Sequence, residues 1–279
     1  MPLDQQIEVF AATVQNDPKL AGGFNAIGYS QGNLVIRGYI QRYNDPPVRR
    51  YVSMHGPHGG VSGFPSCNVS EPLCKYCAEF LGDLAYTRLA QKAIAPANYY
   101  RDPARVNAFI KGCTFLADLN QLSSFNSTYK QNMLSLEKVL LVKATEDEVV
   151  QPPASAYFGY DVLAPDGSFE AVDGHTTPVF SNDTLGLSTL EKSGRVRLAE
   201  RARARSRHSP ALLCQCARPR LGADVGRLAA LVRDHTRSAH ALQRTRVATL
   251  RPADVLGRPS QRRVSAEAAA GCMFRAAYR

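Results

Sequence analysis

The sequence predicts an α/β fold with a parallel sheet, and three observations carry that prediction. Phe24–Tyr29 and Val139–Val142 are short apolar runs with the length of buried strands. Between and around them lie stretches with apolar residues at helical spacing, so strands and helices alternate. At the first strand-to-helix junction stands Gly28-Tyr29-Ser30-Gln31-Gly32.

Taken in order, residues 4–16 put Ile7, Phe10, Ala11 and Val14 on one face, a helix that Pro18 brings to an end. Phe24–Tyr29 follows as a strand. A helix-like stretch with Leu34, Val35, Ile36, Tyr39 and Ile40 runs to the Asn44-Asp45-Pro46-Pro47 breaker. Arg50–His55 reads as a strand that Gly56-Pro57 stops. Val139–Val142 is the third strand, opening into Glu146-Asp147-Glu148.

Hydrophobic content of 44% and charged content of 21% exclude a chain that is disordered throughout. No apolar run reaches the ~18–20 residues of a membrane-spanning helix. Met1–Gln6 has no basic region leading into an apolar stretch, so no signal peptide is expected. The net charge of +10 suggests a nucleic-acid or membrane-surface partner, but it is unevenly distributed. Residues 195–279 hold 19 Arg, no Lys, 5 acids, 18 Ala and two aromatics, leaving residues 1–194 mildly acidic. Two readings of this tail stand side by side: a basic arm for phosphate-bearing ligands, or GC-rich coding sequence read out of frame. Val225, Leu228, Leu231 and Val232 form one weak helical stripe in it.

The chemistry concentrates at Ser30. Gly-x-Ser-x-Gly between a strand and a helix is the nucleophile elbow of α/β-hydrolases, where the glycines permit a sharp turn that thrusts the serine out. The backbone N–H of Gln31 is the candidate oxyanion donor, worth ~2.7–4 kcal/mol of transition-state stabilisation. An orienting acid should follow in chain order, and Glu146, Asp147 and Glu148 all lie just past the third strand. Cys74-Lys75-Tyr76-Cys77 has redox or zinc spacing but lacks a second pair, so neither metal nor cofactor is expected. Sequons begin at Asn68, Asn126 and Asn182, as in a secreted or lysosomal glycoprotein.

Asn16–Leu20, Phe24–Gly32, Gly59–Cys67, Phe115–Gln121, Asn126–Asn132, Phe158–Tyr160 and Leu185–Leu187 together form an ordered series. With it, residues from about 6 to about 194 resemble the palmitoyl-protein thioesterase family, lysosomal α/β-hydrolases that remove long-chain fatty acyl groups from cysteine thioesters. The resemblance implies a partial α/β-hydrolase sheet flanked by helices over 1–194 and an Arg/Ala-rich tail, frame-shifted or unstructured, over 195–279. It implies Ser30 as nucleophile and Asp147 as triad acid. It also implies a Cys67–Cys74 disulfide, a glycan on Asn126, a lysosomal location, and an acyl groove built within residues 96–160. The partners it implies are S-palmitoylated proteins or peptides and fatty acyl thioesters, not nucleic acid. A second family disulfide would join the positions of Ala11 and Tyr43, where both partners are absent together. Cys77 and Cys113 match no family cysteine.

The family's leader, its first strands and the loop with its second oxyanion donor have no counterpart here. Similarity stops at Ser193-Gly194, so Arg195–Arg207 is expected to replace the late strand that precedes the family's catalytic histidine. His208 lies near by counting but matches nothing and is not assigned as base. His58 matches a family histidine and is read as structural or loop-lining, and His175 as a surface loop residue. The chain as written is therefore expected to turn over little. The alternatives are another serine hydrolase, a lipase or esterase, or a non-enzymatic Arg-rich binder on an inactive hydrolase body.

Overall fold

The computed structural model describes residues 1–63 and 84–201. The first helix, α1 (Leu3–Gln15), buries Leu3, Ile7, Phe10, Ala11 and Val14, the stripe its spacing requires. Strand β1 (Phe24–Tyr29) turns sharply into helix α2 (Gly32–Arg42), and β2 (Val48–Met54) follows the proline-marked turn. After shorter helices, α3 (Arg88–Ala93), α4 (Val106–Gly112), α5 (Leu116–Leu119) and α6 (Ser127–Leu134), the chain enters β3 (Lys138–Ala144). A two-stranded hairpin, β4 (Tyr160–Leu163) and β5 (Phe169–Val172), precedes α7 (Pro178–Ser181), α8 (Leu187–Lys192) and β6 (Val196–Arg201).

The expected parallel sheet is present, with four strands in the order β1-β2-β3-β6. Phe24, Ala26, Val48, Tyr51, Val139 and Leu141 point from it into the main core. Ile27, Val52, Met54 and Leu140 form a second cluster on the opposite face, following the two-residue period of a strand, while Val48 joins the main core across the register shift between Phe24 and Asn25. Helix α2 is buried from Gly32 to Gln41, packed against α1, α6 and the sheet. Phe10 of α1 meets Tyr39 of α2 edge-on at 5.1 Å between centroids. Each such fully buried side chain stabilises by ~1.5–3 kcal/mol. The two helices approach so closely that a Cβ on Gly38 would lie 2.1 Å from Ile7 Cδ1. Arg42 ties the outer ends together, with Nη1 2.6 Å from Asp4 and Nη2 3.1 Å from Asp118.

Strand β6 corrects the expectation for the end of the body. Within Arg195–Arg207, Val196–Arg201 forms a strand, paired in register with Val139–Ala144. A parallel ladder is made by backbone groups, and in this outer position of the described order few side chains need to be apolar. Val196 is buried, whereas Arg197, Leu198 and Glu200 are exposed. Glu200 reaches its register partner Lys143 at 2.6 Å, and Tyr157 donates to Ala199 C=O at 2.6 Å. The packed body thus runs past the compositional boundary at residue 194. The remainder of the tail, including the Val225–Val232 stripe and His208, lies outside the described residues.

Candidate active site

Ser30, His55 and Asp147 stand directly beyond the ends of β1, β2 and β3, three neighbouring parallel strands. This is the end of an open parallel sheet where reacting groups gather.

Ser30 has φ +49°, in the left-handed region that a side chain with a Cβ rarely adopts. Such a backbone costs of order 1–3 kcal/mol and persists only where its surroundings impose it. Ser30 N–H donates to Met54 C=O at 2.9 Å, which ties the turn to the end of β2. Its neighbour Gly28 leaves room for Asn33: a Cβ there would lie 2.3 Å from Asn33 Oδ1. Gln31 caps α2, and among the described residues its backbone N–H meets no acceptor. It stands at the N-terminal, positive end of the α2 dipole, one residue after Ser30. The Gln31 side chain is held from two sides, by Tyr99 OH at 3.2 Å and by Gln6 Oε1 at 3.5 Å. Burial raises the Tyr99 hydroxyl to a pKa of about 12, so it stays a protonated donor.

Of the three acids past β3, Asp147 alone is half-buried, while Glu146 and Glu148 are exposed. One of its oxygens, Oδ1, accepts the N–H groups of Val149 and Val150, both at 2.9 Å, and so fixes the carboxylate in its turn. Its field reaches the adjacent strand ends, raising the pKa values of Tyr29 and His55, though burial dominates at both groups. His55 has φ +53°, packs edge-on against Tyr29 at 5.6 Å, and leaves Nδ1 buried without a hydrogen bond. Burial lowers its pKa below the ordinary histidine value.

The other described histidines are engaged away from Ser30. His58 is buried with Nε2 2.8 Å from Ser53 Oγ. His175, on the surface, contacts Asp173 at 3.0 Å and Glu191 at 3.1 Å. Cys113 is buried, with Sγ 3.1 Å from Asn98 C=O and its thiol pKa raised by burial. Cys67, Cys74 and Cys77 lie outside the described residues, as does Asn68. Asn126 is exposed at the start of α6, where its Oδ1 accepts from Thr128 N–H at 2.9 Å.

Two residues of the site have at most a weak signature in the sequence. Tyr99 reaches Gln31 across 68 positions of chain, and nothing in its local sequence points there. Asn33 offered a weak signal, as a polar residue opening an otherwise apolar helix.

The sequence model of palmitoyl protein thioesterase matches residues 1–204. The chain belongs to the palmitoyl protein thioesterase family. Palmitoyl-protein thioesterase 3 of Dictyostelium discoideum is 40% identical over 195 residues, covering 70% of this chain and 65% of that protein. Palmitoyl-protein thioesterase 1 of Caenorhabditis elegans is 38% identical over 184 residues, covering 66% and 61%. The lysosomal thioesterase PPT2 homolog of Drosophila melanogaster is 28% identical over 176 residues, covering 62% and 59%. The chain thus spans about three fifths to two thirds of the length of these palmitoyl thioesterase relatives. The family match ends at residue 204, just past β6.

Proposed function

We propose that the chain is a serine-dependent thioesterase that releases long-chain fatty acyl groups from cysteine residues of S-acylated proteins. The observation that carries this reading is the left-handed Ser30 in a strand-turn-helix elbow, in a chain of the palmitoyl protein thioesterase family. Ser30 Oγ gives its proton to a base and attacks the thioester carbonyl carbon. The tetrahedral oxyanion takes the N–H of Gln31, and its collapse breaks the C–S bond and expels the cysteine thiolate. The base passes its proton to the departing thiolate, takes another from the water that attacks the acyl-serine, and gives it to Ser30 Oγ as the fatty acid leaves. A thiolate leaves more readily than an amide nitrogen, so the demand on the acid step is light. Asp147 orients the base, in the chain order Ser, Asp, His, and the histidine that serves as base is left to experiment.

Relatives named as lysosomal thioesterases support a lysosomal setting for the same reaction. There the enzyme would carry a glycan on Asn126 and the Cys67–Cys74 disulfide.

The test is hydrolysis of a palmitoyl-cysteine peptide by residues 1–279, against triglyceride and simple esters as comparison substrates. Ser30→Ala should abolish release of thiol while the melting transition stays. Hydrolysis that persists in that variant overturns the reading, and a preference for triglyceride reassigns the chain to a lipase. Substituting His55, His208, His235 and His240 singly by Ala identifies the base.

A further inference from the structure

The left-handed backbone of Ser30 is held by a residue three positions further on. Asn33 is fully buried in the first turn of α2. Its backbone N–H donates to Ser30 C=O at 3.0 Å, and its side-chain Nδ2 donates to the same carbonyl at 3.1 Å. The same Nδ2 donates to Met54 C=O at 2.8 Å, the carbonyl that also accepts Ser30 N–H. One carboxamide therefore bridges Ser30 C=O to Met54 C=O, the carbonyl that itself holds Ser30 N–H, and ties the turn to the last residue of β2. The clamp is itself oriented. Tyr51 OH lies 3.0 Å from Asn33 Oδ1 and 3.1 Å from Asn33 C=O, and donates toward them. With its amide reversed, Asn33 would present an oxygen to two carbonyl oxygens, so the Tyr51 donor selects the clamping orientation.

We infer that Asn33, oriented by Tyr51, is a positioning residue for catalysis at Ser30, an inference that rests on the reading of Ser30 as nucleophile. It touches no reacting atom. It fixes the direction of Ser30 Oγ relative to the Gln31 N–H one residue on, so that the nucleophile and the oxyanion donor face one point. A displacement of ~1 Å at such a pair costs ~10²-fold in rate.

The test uses the full chain with Asn33→Asp, Asn33→Leu and Tyr51→Phe. It reads the rate of Ser30 phosphonylation by a fluorophosphonate and the amide exchange of residues 28–34. Aspartate keeps the size of asparagine and the Tyr51 contact. Ionised, it sets a negative oxygen against two carbonyls; protonated, it donates again. Asn33→Asp should label ~10²-fold more slowly than the unaltered chain at pH 7.5, with the ratio recovering as pH falls. Asn33→Leu should be slow at every pH, and Tyr51→Phe should fall between. Exchange at Ser30 and Asn33 should quicken in all three, while amides of β3 stay protected. Folded Asp and Leu variants that label within about twofold of the unaltered chain, or an Asp ratio flat with pH, overturn the inference. Failure of the underlying reading looks different: Ser30→Ala would still take the probe. In that case exchange decides for Asn33 alone, and unchanged Ser30 protection in the Asp and Leu variants overturns its role.

Discussion

The imidazole of His58 lies flat on the ring of Phe158, with centroids 4.8 Å apart and planes 12° apart. The Arg37 guanidinium stands 5.2 Å over the same ring and donates to Asn120 Oδ1 at 2.7 Å. Asn120 in turn donates to His58 C=O at 2.9 Å, so the two buried basic groups share one scaffold. Burial first, and the Arg37 charge second, hold the His58 pKa well below its ordinary value.

That depression has a consequence for acid stability. His58 is neutral when folded but takes a proton in the unfolded chain below about pH 6.5. Its contribution is therefore present above that pH and lost as pH falls toward the folded value. His58→Leu should melt below the unaltered chain at pH 7.5, since Ser53 loses its partner. The deficit should narrow by pH 5. Melting curves across that range check this, and a deficit constant with pH would contradict it.

His175 works in the opposite sense. Its hydrogen bond to Glu191, joined by that to Asp173 and opposed by partial burial, raises its pKa. The stability it contributes is fully present below about pH 6.5 and is lost as pH rises through the higher folded value. His175→Gln should therefore cost stability in acid and little in mild alkali. The variant's melting temperature, compared with the unaltered chain from pH 5.5 upward, gives the measurement.

Gly28→Ala should impair the site through the side chain it meets. The new Cβ would lie 2.3 Å from Asn33 Oδ1 and 2.8 Å from its Cγ, in a wall that has no slack. Overpacking of this kind costs ~1–3 kcal/mol. Ser30 labelling should fall far more than that loss alone produces, because the displaced group is the clamp on Ser30. Retained labelling in a destabilised protein would separate the two effects.

Asn126 caps a helix and begins a sequon, and the two can be tested separately. As N-cap of α6 it accepts from Thr128 N–H at 2.9 Å and Tyr129 N–H at 3.4 Å. Asn126→Ala should cost ~1 kcal/mol in denaturant titrations of glycan-free protein, and Asn126→Asp close to nothing. Both changes remove the sequon, so protein made in a secretory pathway should lose one glycan mass in each. An unaltered mass would mean that the position carries none.

Most elements were legible because they obey simple periods. The Ile7–Val14 stripe and the Phe24–Tyr29 run announce α1 and β1 directly, and the glycines around Ser30 announce the turn between them. The β4–β5 hairpin was not legible, since its residues are largely exposed and show no alternation. Tyr51, Asn33 and Tyr99 escaped for another reason. Their contribution comes from pairs of side chains far apart along the chain, and such pairs leave no local pattern. Position alone could not separate Asp147 from its two glutamate neighbours; the resemblance singled it out, and the structure adds that its carboxylate takes two backbone N–H groups.

Strand β6 shows how unevenly a sheet reads its own sequence. Its ladder with β3 runs through six residue pairs, while Val196 is its one buried side chain. A strand held on those terms accepts almost any alternation of charge and small residues, arginine included. The change of composition at Gly194 therefore need not coincide with a seam in the fold. The body closes over a stretch whose composition it did not dictate, and delivers the chain past Arg201 to the same end of the sheet as Ser30 and Asp147.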